Sequence, residues 1–234
     1  MRAPLSALLL LAALSLSACG DQTTTAEDPA AAAPSEPASS SAPSSTSASP
    51  VGTTCAYPPA PPAAKEVSPP PDVAQATGKV EVTISTSQGD IAAVLDATST
   101  PCTVNSFVSL AQQGYFDDTV CHRLTTSGIF VLQCGDPTAT GTGGPGYTIP
   151  DELSGAEQYP AGTLAMAKTS APDSGGSQFF VVYADTQLPP DYTVFGQLDA
   201  ASVAVVQTVA AAGSTPEGDG KPNLDVTISS VQVG

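Results

Sequence analysis

Residues 120–136 read Val120-Cys121-His122-Arg123-Leu124-Thr125-Thr126-Ser127-Gly128-Ile129-Phe130-Val131-Leu132-Gln133-Cys134-Gly135-Asp136. Two short apolar segments, Cys121–Leu124 and Ile129–Gln133, flank a Thr/Ser/Gly connection, the pattern of brief strands separated by a turn. The chain's single histidine, His122, stands beside Arg123, its one arginine apart from Arg2. A lone histidine and the lack of metal-type Cys/His spacing argue against a Ser-His-Asp triad and against a histidine metal site. An isolated guanidinium is different, because it stays charged and donates several hydrogen bonds without help from a base. Any chemistry is therefore expected to run through Arg123, with no metal and no cofactor. His122 reads as a buried, hydrogen-bonded structural histidine, and Asp151-Glu152 as a solvated turn.

Working outward, Gly162–Ala167, Gln178–Val182 and Tyr192–Leu198 are further short apolar segments between Gly/Pro turns, and Asp225–Val233 reads as a last strand. Upstream, Val80, Val82 and Ile84 alternate with polar residues, Gln88-Gly89-Asp90 is a turn, and Ile91–Leu95 is the return strand. A helix is expected after a Ser99/Thr100 cap, with Pro101 in its first turn and Gly114 as its stop. A second helix is expected over Ala200–Ala212, ended by Gly213. Many short strands with a helix near each end predict a mainly β domain over 79–234. The expected form is a closed eight-stranded antiparallel β-barrel with two capping α-helices.

Residues 1–18 have a short basic start and an apolar run, Leu5–Leu16, too short for a comfortable membrane span. The run ends in Leu16-Ser17-Ala18-Cys19-Gly20, which resembles the lipobox of bacterial lipoproteins and implies lipidation at Cys19. Residues 19–78 are rich in Ala, Pro, Ser and Thr without hydrophobic periodicity, so a disordered tether is expected. Cys55, within it, hints that the end of this tether is pinned to the domain. Four cysteines remain after Cys19, namely Cys55, Cys102, Cys121 and Cys134, and allow up to two disulfides in three possible pairings. A formal net charge of −16 argues against nucleic acid as a partner.

Four further blocks join the opening stretch. His122-Arg123-Leu124 followed by Phe130-Val131-Leu132-Gln133-Cys134-Gly135-Asp136 resembles the HR…F-x-x-Q-x-G-D block of cyclophilin-type peptidyl-prolyl cis-trans isomerases. Gly141-Thr142-Gly143-Gly144 resembles the family's GTGG loop, and Gly162–Ala167 its G-x-L-x-M-A strand. Gly176-Ser177-Gln178-Phe179-Phe180 matches its GSQFF block, and Val194-Phe195-Gly196 its closing VFG. The blocks arrive in family order over about two thirds of the chain.

The resemblance implies an isomerase of X–Pro bonds with Arg123 as the catalytic donor and Gln133 holding its guanidinium. It implies a proline pocket of Phe130, Val131, Phe180 and Leu188. Gln178 and the backbone at Ala167 and Lys168 would hold the residues before the proline, and Tyr192 falls at the pocket rim. The expected partners are proline-containing segments of exported proteins. The chain is expected to be monomeric, outside the cytoplasm, and anchored to the cell membrane by lipid. The competing expectation is a module that binds proline segments with little turnover.

Overall fold

The computed structural model describes residues 52–234. The leader, Cys19 and the first part of the expected tether lie outside them.

The opening hairpin follows the alternation. Strand β1 (Lys79–Thr86) pairs antiparallel with β2 (Gly89–Asp96), with Val82 and Ile84 buried on the inner face. Helix α1 (Pro101–Gln112) starts with Pro at its first turn, where the missing N–H costs no hydrogen bond. Thr100 makes no side-chain cap. Instead Glu152, fifty residues away, accepts hydrogen bonds from the Cys102 and Thr103 amides at 2.9 and 2.8 Å. A carboxylate there satisfies two orphan donors and meets the positive end of the helix dipole. Val104, Phe107 and Leu110 point into the core, where the Phe107 ring lies 5.6 Å edge-on from Phe179.

Short strands follow: β3 (Thr119–Val120), β4 (Arg123–Thr125), β5 (Val131–Cys134), β6 (Thr163–Met166), β7 (Phe179–Val182) and β8 (Val194–Leu198). Helix α2 (Ala200–Ala211) is capped by Asp199, whose side chain accepts from the Ser202 amide at 2.7 Å. It packs on β2, where the Ser202 hydroxyl in turn accepts from the Ala92 amide. The chain closes with β9 (Ser214–Thr215), β10 (Asp219–Pro222) and β11 (Thr227–Val233).

The sheet corrects the expected barrel. Among the described residues eleven strands run in the order β3-β11-β1-β2-β8-β6-β7-β5-β4-β10-β9, an open curled ladder rather than a closed ring of eight. The covalent chain, not a strand ladder, joins its two sides between β3 and β4. There the Cys121 amide bonds to Val226 and the His122 amide to Gln133.

The expected tether is corrected at its C-terminal end. Residues 52–78 lie along the domain, held by a Cys55–Cys102 disulfide and by Asn105, which bonds the Tyr57 hydroxyl and the Pro71 carbonyl. Lys65 donates to the Gly114 carbonyl at 2.6 Å, placing a cation at the carbonyl end of α1. The second disulfide, Cys121–Cys134, ties the entry of β4 to the end of β5.

Candidate active site

Strands β4 and β5 set Arg123 directly opposite Gln133 in register. Because side chains alternate along a strand, Ile129, Val131 and Gln133 share one side of the β5 segment. Phe130, Leu132 and Cys134 share the other, packed with the main core. The first side opens on a cavity of about 180 Å³. Arg123, Ile129, Val131 and Gln133 form one wall, Phe180 of β7 stands beside Gln133 in register, and Leu188 and Tyr192 come from the connection to β8. Ala167 and Lys168, just past β6, complete the lining.

Arg123 is held on two edges. Its Nε and Nη2 donate to Asp219 Oδ1 and Oδ2, both at 2.7 Å, and its Nη1 donates to Gln133 Oε1 at 3.3 Å. The Asp219 hydrogen bond pushes the guanidinium even further above the physiological range, and Arg123 in turn holds the Asp219 carboxyl below its usual range. Gln133 Nε2 donates to Gln178 Oε1 at 2.8 Å, and Gln178 Nε2 to the Gly143 carbonyl at 2.9 Å. A continuous relay thus runs from the guanidinium to the 141–146 loop.

That loop is organised by Asp136, which is fully buried and accepts from the amides of Thr138, Gly141 and Gly143 and from the Thr138 hydroxyl. Burial pushes the Asp136 carboxyl up, but these hydrogen bonds outweigh it and the net shift is downward. A β-carbon on Gly143 would run into the Asp136 carboxylate, which explains glycine at this point. On the other side Tyr192 meets Phe180 edge-on, ring centroids 5.5 Å apart, and the Tyr159 hydroxyl bonds the carbonyls of Pro189 and Tyr192.

A family model described as cyclophilin type peptidyl-prolyl cis-trans isomerase/CLD matches residues 80–233. The chain belongs to the cyclophilin-type isomerase family. Similar proteins include the probable peptidyl-prolyl cis-trans isomerase B of Mycobacterium tuberculosis, 50% identical over 69% of this chain and 56% of that one. Its counterpart in Mycobacterium leprae is 47% identical over 73% of this chain and 63% of its own length. The chain thus spans less than two thirds of the length of these curated relatives. A crystal structure of a Cryptosporidium parvum cyclophilin type isomerase, obtained in the presence of the dipeptide Ala-Pro, superposes with a TM-score of 0.59 at 31% identity. It covers 66% of this chain and 98% of that one.

Within this cyclophilin-type site most expected residues gather, with three corrections. Arg123, Gln133, Val131, Phe180, Leu188, Tyr192, Ala167 and Lys168 line the cavity, but Phe130 does not. Strand alternation turns Phe130 toward the main core, where its ring lies 6.0 Å edge-on from Tyr183, and Ile129 takes the lining position. Gln178, expected beside the residues before the proline rather than in its pocket, adjoins the cavity through its hydrogen bond with Gln133. His122 is half-buried with both ring nitrogens enclosed, and among the described residues neither nitrogen has a hydrogen-bond partner, so the expected hydrogen-bonded histidine is not found. Asp151 pairs with Lys168 at 2.8 Å, and both are largely buried, so that stretch is not a solvated turn.

Asp219 and Tyr159 escaped the sequence reading. Asp219 lies 96 residues from Arg123 in a short polar strand, and only the family blocks upstream of it carried a signal. Among the described residues no group of three or more His, Cys, Asp or Glu is placed as a metal ion would need.

Proposed function

We propose that this protein is a peptidyl-prolyl cis-trans isomerase that acts on exported proteins and works through Arg123. Rotation about an X–Pro bond is slow because amide resonance gives the C–N bond double-bond character, a barrier of about 18–20 kcal/mol. No covalent bond has to form. In the twisted transition state the prolyl nitrogen becomes pyramidal and its lone pair localises. A donor aimed at that nitrogen stabilises the twisted state over the planar one. An acceleration of about 10⁵ requires some 7 kcal/mol off the barrier.

The observation that carries this reading is the position of the guanidinium on the wall of a small cavity, beside Ile129, Val131, Phe180 and Leu188 and fixed there by two partners. A guanidinium has five N–H groups. Three are engaged by Asp219 and Gln133, leaving one N–H on Nη1 and one on Nη2 for a substrate. Val131, Phe180, Leu188 and Tyr192 would receive the pyrrolidine ring and keep water from competing for the donor. The Ala-Pro dipeptide used with the Cryptosporidium relative is in keeping with such a ligand.

The same reading takes the chain as lipidated on Cys19, held to the outer face of the cell membrane and monomeric. Loss of acyl labelling in Cys19→Ala tests the anchor. The rival reading, a proline-segment binder with little turnover, is separated by one assay: measurement of cis-trans exchange in an Ala-Pro peptide with the purified protein. Exchange accelerated at catalytic protein concentration supports the enzyme; binding without acceleration supports the rival.

A further inference from the structure

A second cavity of about 370 Å³ adjoins the first and shares Gln133, Ala167 and Lys168 with it. One side is the 141–148 loop; part of the rest is Ala60, Pro61 and Pro62. Three backbone hydrogen bonds dock this segment on the loop. The Ala60 amide donates to Gly146 at 2.8 Å, the Ala64 amide to Gly144 at 2.8 Å, and the Thr148 amide to Pro58 at 2.9 Å. The segment is also fastened on both flanks, by the Cys55–Cys102 disulfide before it and by the Lys65–Gly114 hydrogen bond after it. Pro61 and Pro62 have no N–H to satisfy, so they can line a cavity without leaving a donor unpaired.

We propose that residues 58–64 are a fixed wall of the substrate groove, and that Ala60, Pro61 and Pro62 select the side chain carried ahead of the proline. This rests on the isomerase reading. A peptide whose proline fills the Arg123 cavity has its preceding residues along Ala167 and Gln178, and these lead into the second cavity. Among the described residues Lys168 is the one charged side chain lining it, and its ammonium is bound to Asp151 at 2.8 Å. The rest is pyrrolidine rings, alanine methyls, Tyr147, small hydroxyls, amides and glycine backbone. A charged side chain entering there would give up part of its hydration and meet no unpaired opposite charge, which is unfavourable. The wall therefore favours an uncharged side chain of leucine size over aspartate or lysine.

The test uses the full chain and peptides X-Ala-Pro with X as Leu, Lys or Asp, reading both kcat/KM for isomerisation and Kd by NMR titration. Wild type should prefer Leu over either charged residue. Ala60→Glu places a carboxylate in the wall and should raise the Lys-to-Leu ratio about tenfold, while Ala60→Trp should depress the Leu peptide most. Unchanged ratios in both variants, with isomerisation intact, would overturn the wall and leave the isomerase reading standing. Ratios that shift in Kd while wild type shows no isomerisation would keep the wall and remove the isomerase reading.

Discussion

Arg123 and Asp219 meet fork to fork, with Nε–Oδ1 and Nη2–Oδ2 both at 2.7 Å, across 96 residues of sequence. The pair is partly exposed, with 39% and 55% of the two side chains accessible, so its contribution to stability is small, about 0–1 kcal/mol. Its effect is geometric. A bidentate carboxylate fixes the plane of the guanidinium and so the direction of the two N–H groups left free.

Asp219→Asn should therefore leave stability within about 1 kcal/mol of wild type, while kcat falls and KM changes little. Thermal denaturation and steady-state isomerisation on the same preparation check both halves. Because Arg123 holds the Asp219 carboxyl below its ordinary value, near 3.9 for a free aspartate, the pair stays ionised as pH falls to 5. The turnover of the native protein should thus be flat between pH 5 and 8.

Stability should behave differently from turnover. His122 is the only histidine, and both its ring nitrogens are buried without partners. Burial pushes its pKa down; the Asp136 carboxylate opposes this and Arg123 adds to it, for a net lowering. The unfolded chain then takes up a proton near pH 6.5 before the folded one does. Stability is full above that pH and declines as pH falls below it toward the lowered folded value. Denaturant midpoints should drop from pH 7.5 to 5.5 in wild type, and His122→Leu should remove that slope.

The loop on one side of the second cavity depends on a glycine. Gly143→Ala would force a methyl group into the Asp136 carboxylate, and overpacking of this kind costs about 1–3 kcal/mol. The expected result is a lower melting temperature together with weaker peptide binding, since Gly143 also receives the Gln178 hydrogen bond. Calorimetry and peptide titration read the two effects.

The core of the fold was legible where apolar residues recur with a clear period: the β1–β2 alternation and the inward face of α1. What stayed hidden has no such signature. Strands β3, β9 and β10 read Thr-Val, Ser-Thr and Asp-Gly-Lys-Pro, and they exist through long-range hydrogen bonds rather than through amphipathic pattern. The Pro-rich segment 52–78 has the composition of a linker, yet Cys55, Tyr57 and Lys65 fasten it to the domain. In the site, matching blocks located Arg123, Gln133 and Phe180, but block matching alone does not say which face of a strand a residue occupies.

Phe130 and Ile129 turn that distinction into an experiment. Ile129→Ala should raise KM for proline peptides with modest loss of stability. Phe130→Leu should act on stability, through the lost contact with Tyr183, and leave KM near wild type. The reverse pattern would place Phe130 in the cavity after all.

The central claim is that free N–H groups of a fixed guanidinium stabilise the twisted amide. It is tested most directly by Arg123→Lys, which keeps the charge but loses the fork to Asp219, measured beside Arg123→Ala for exchange rate and for peptide Kd. Both variants should bind an Ala-Pro peptide within a few-fold of wild type while exchange falls by about a hundredfold or more, in the range of a lost transition-state donor. Wild-type exchange in a folded Arg123→Ala protein would contradict it.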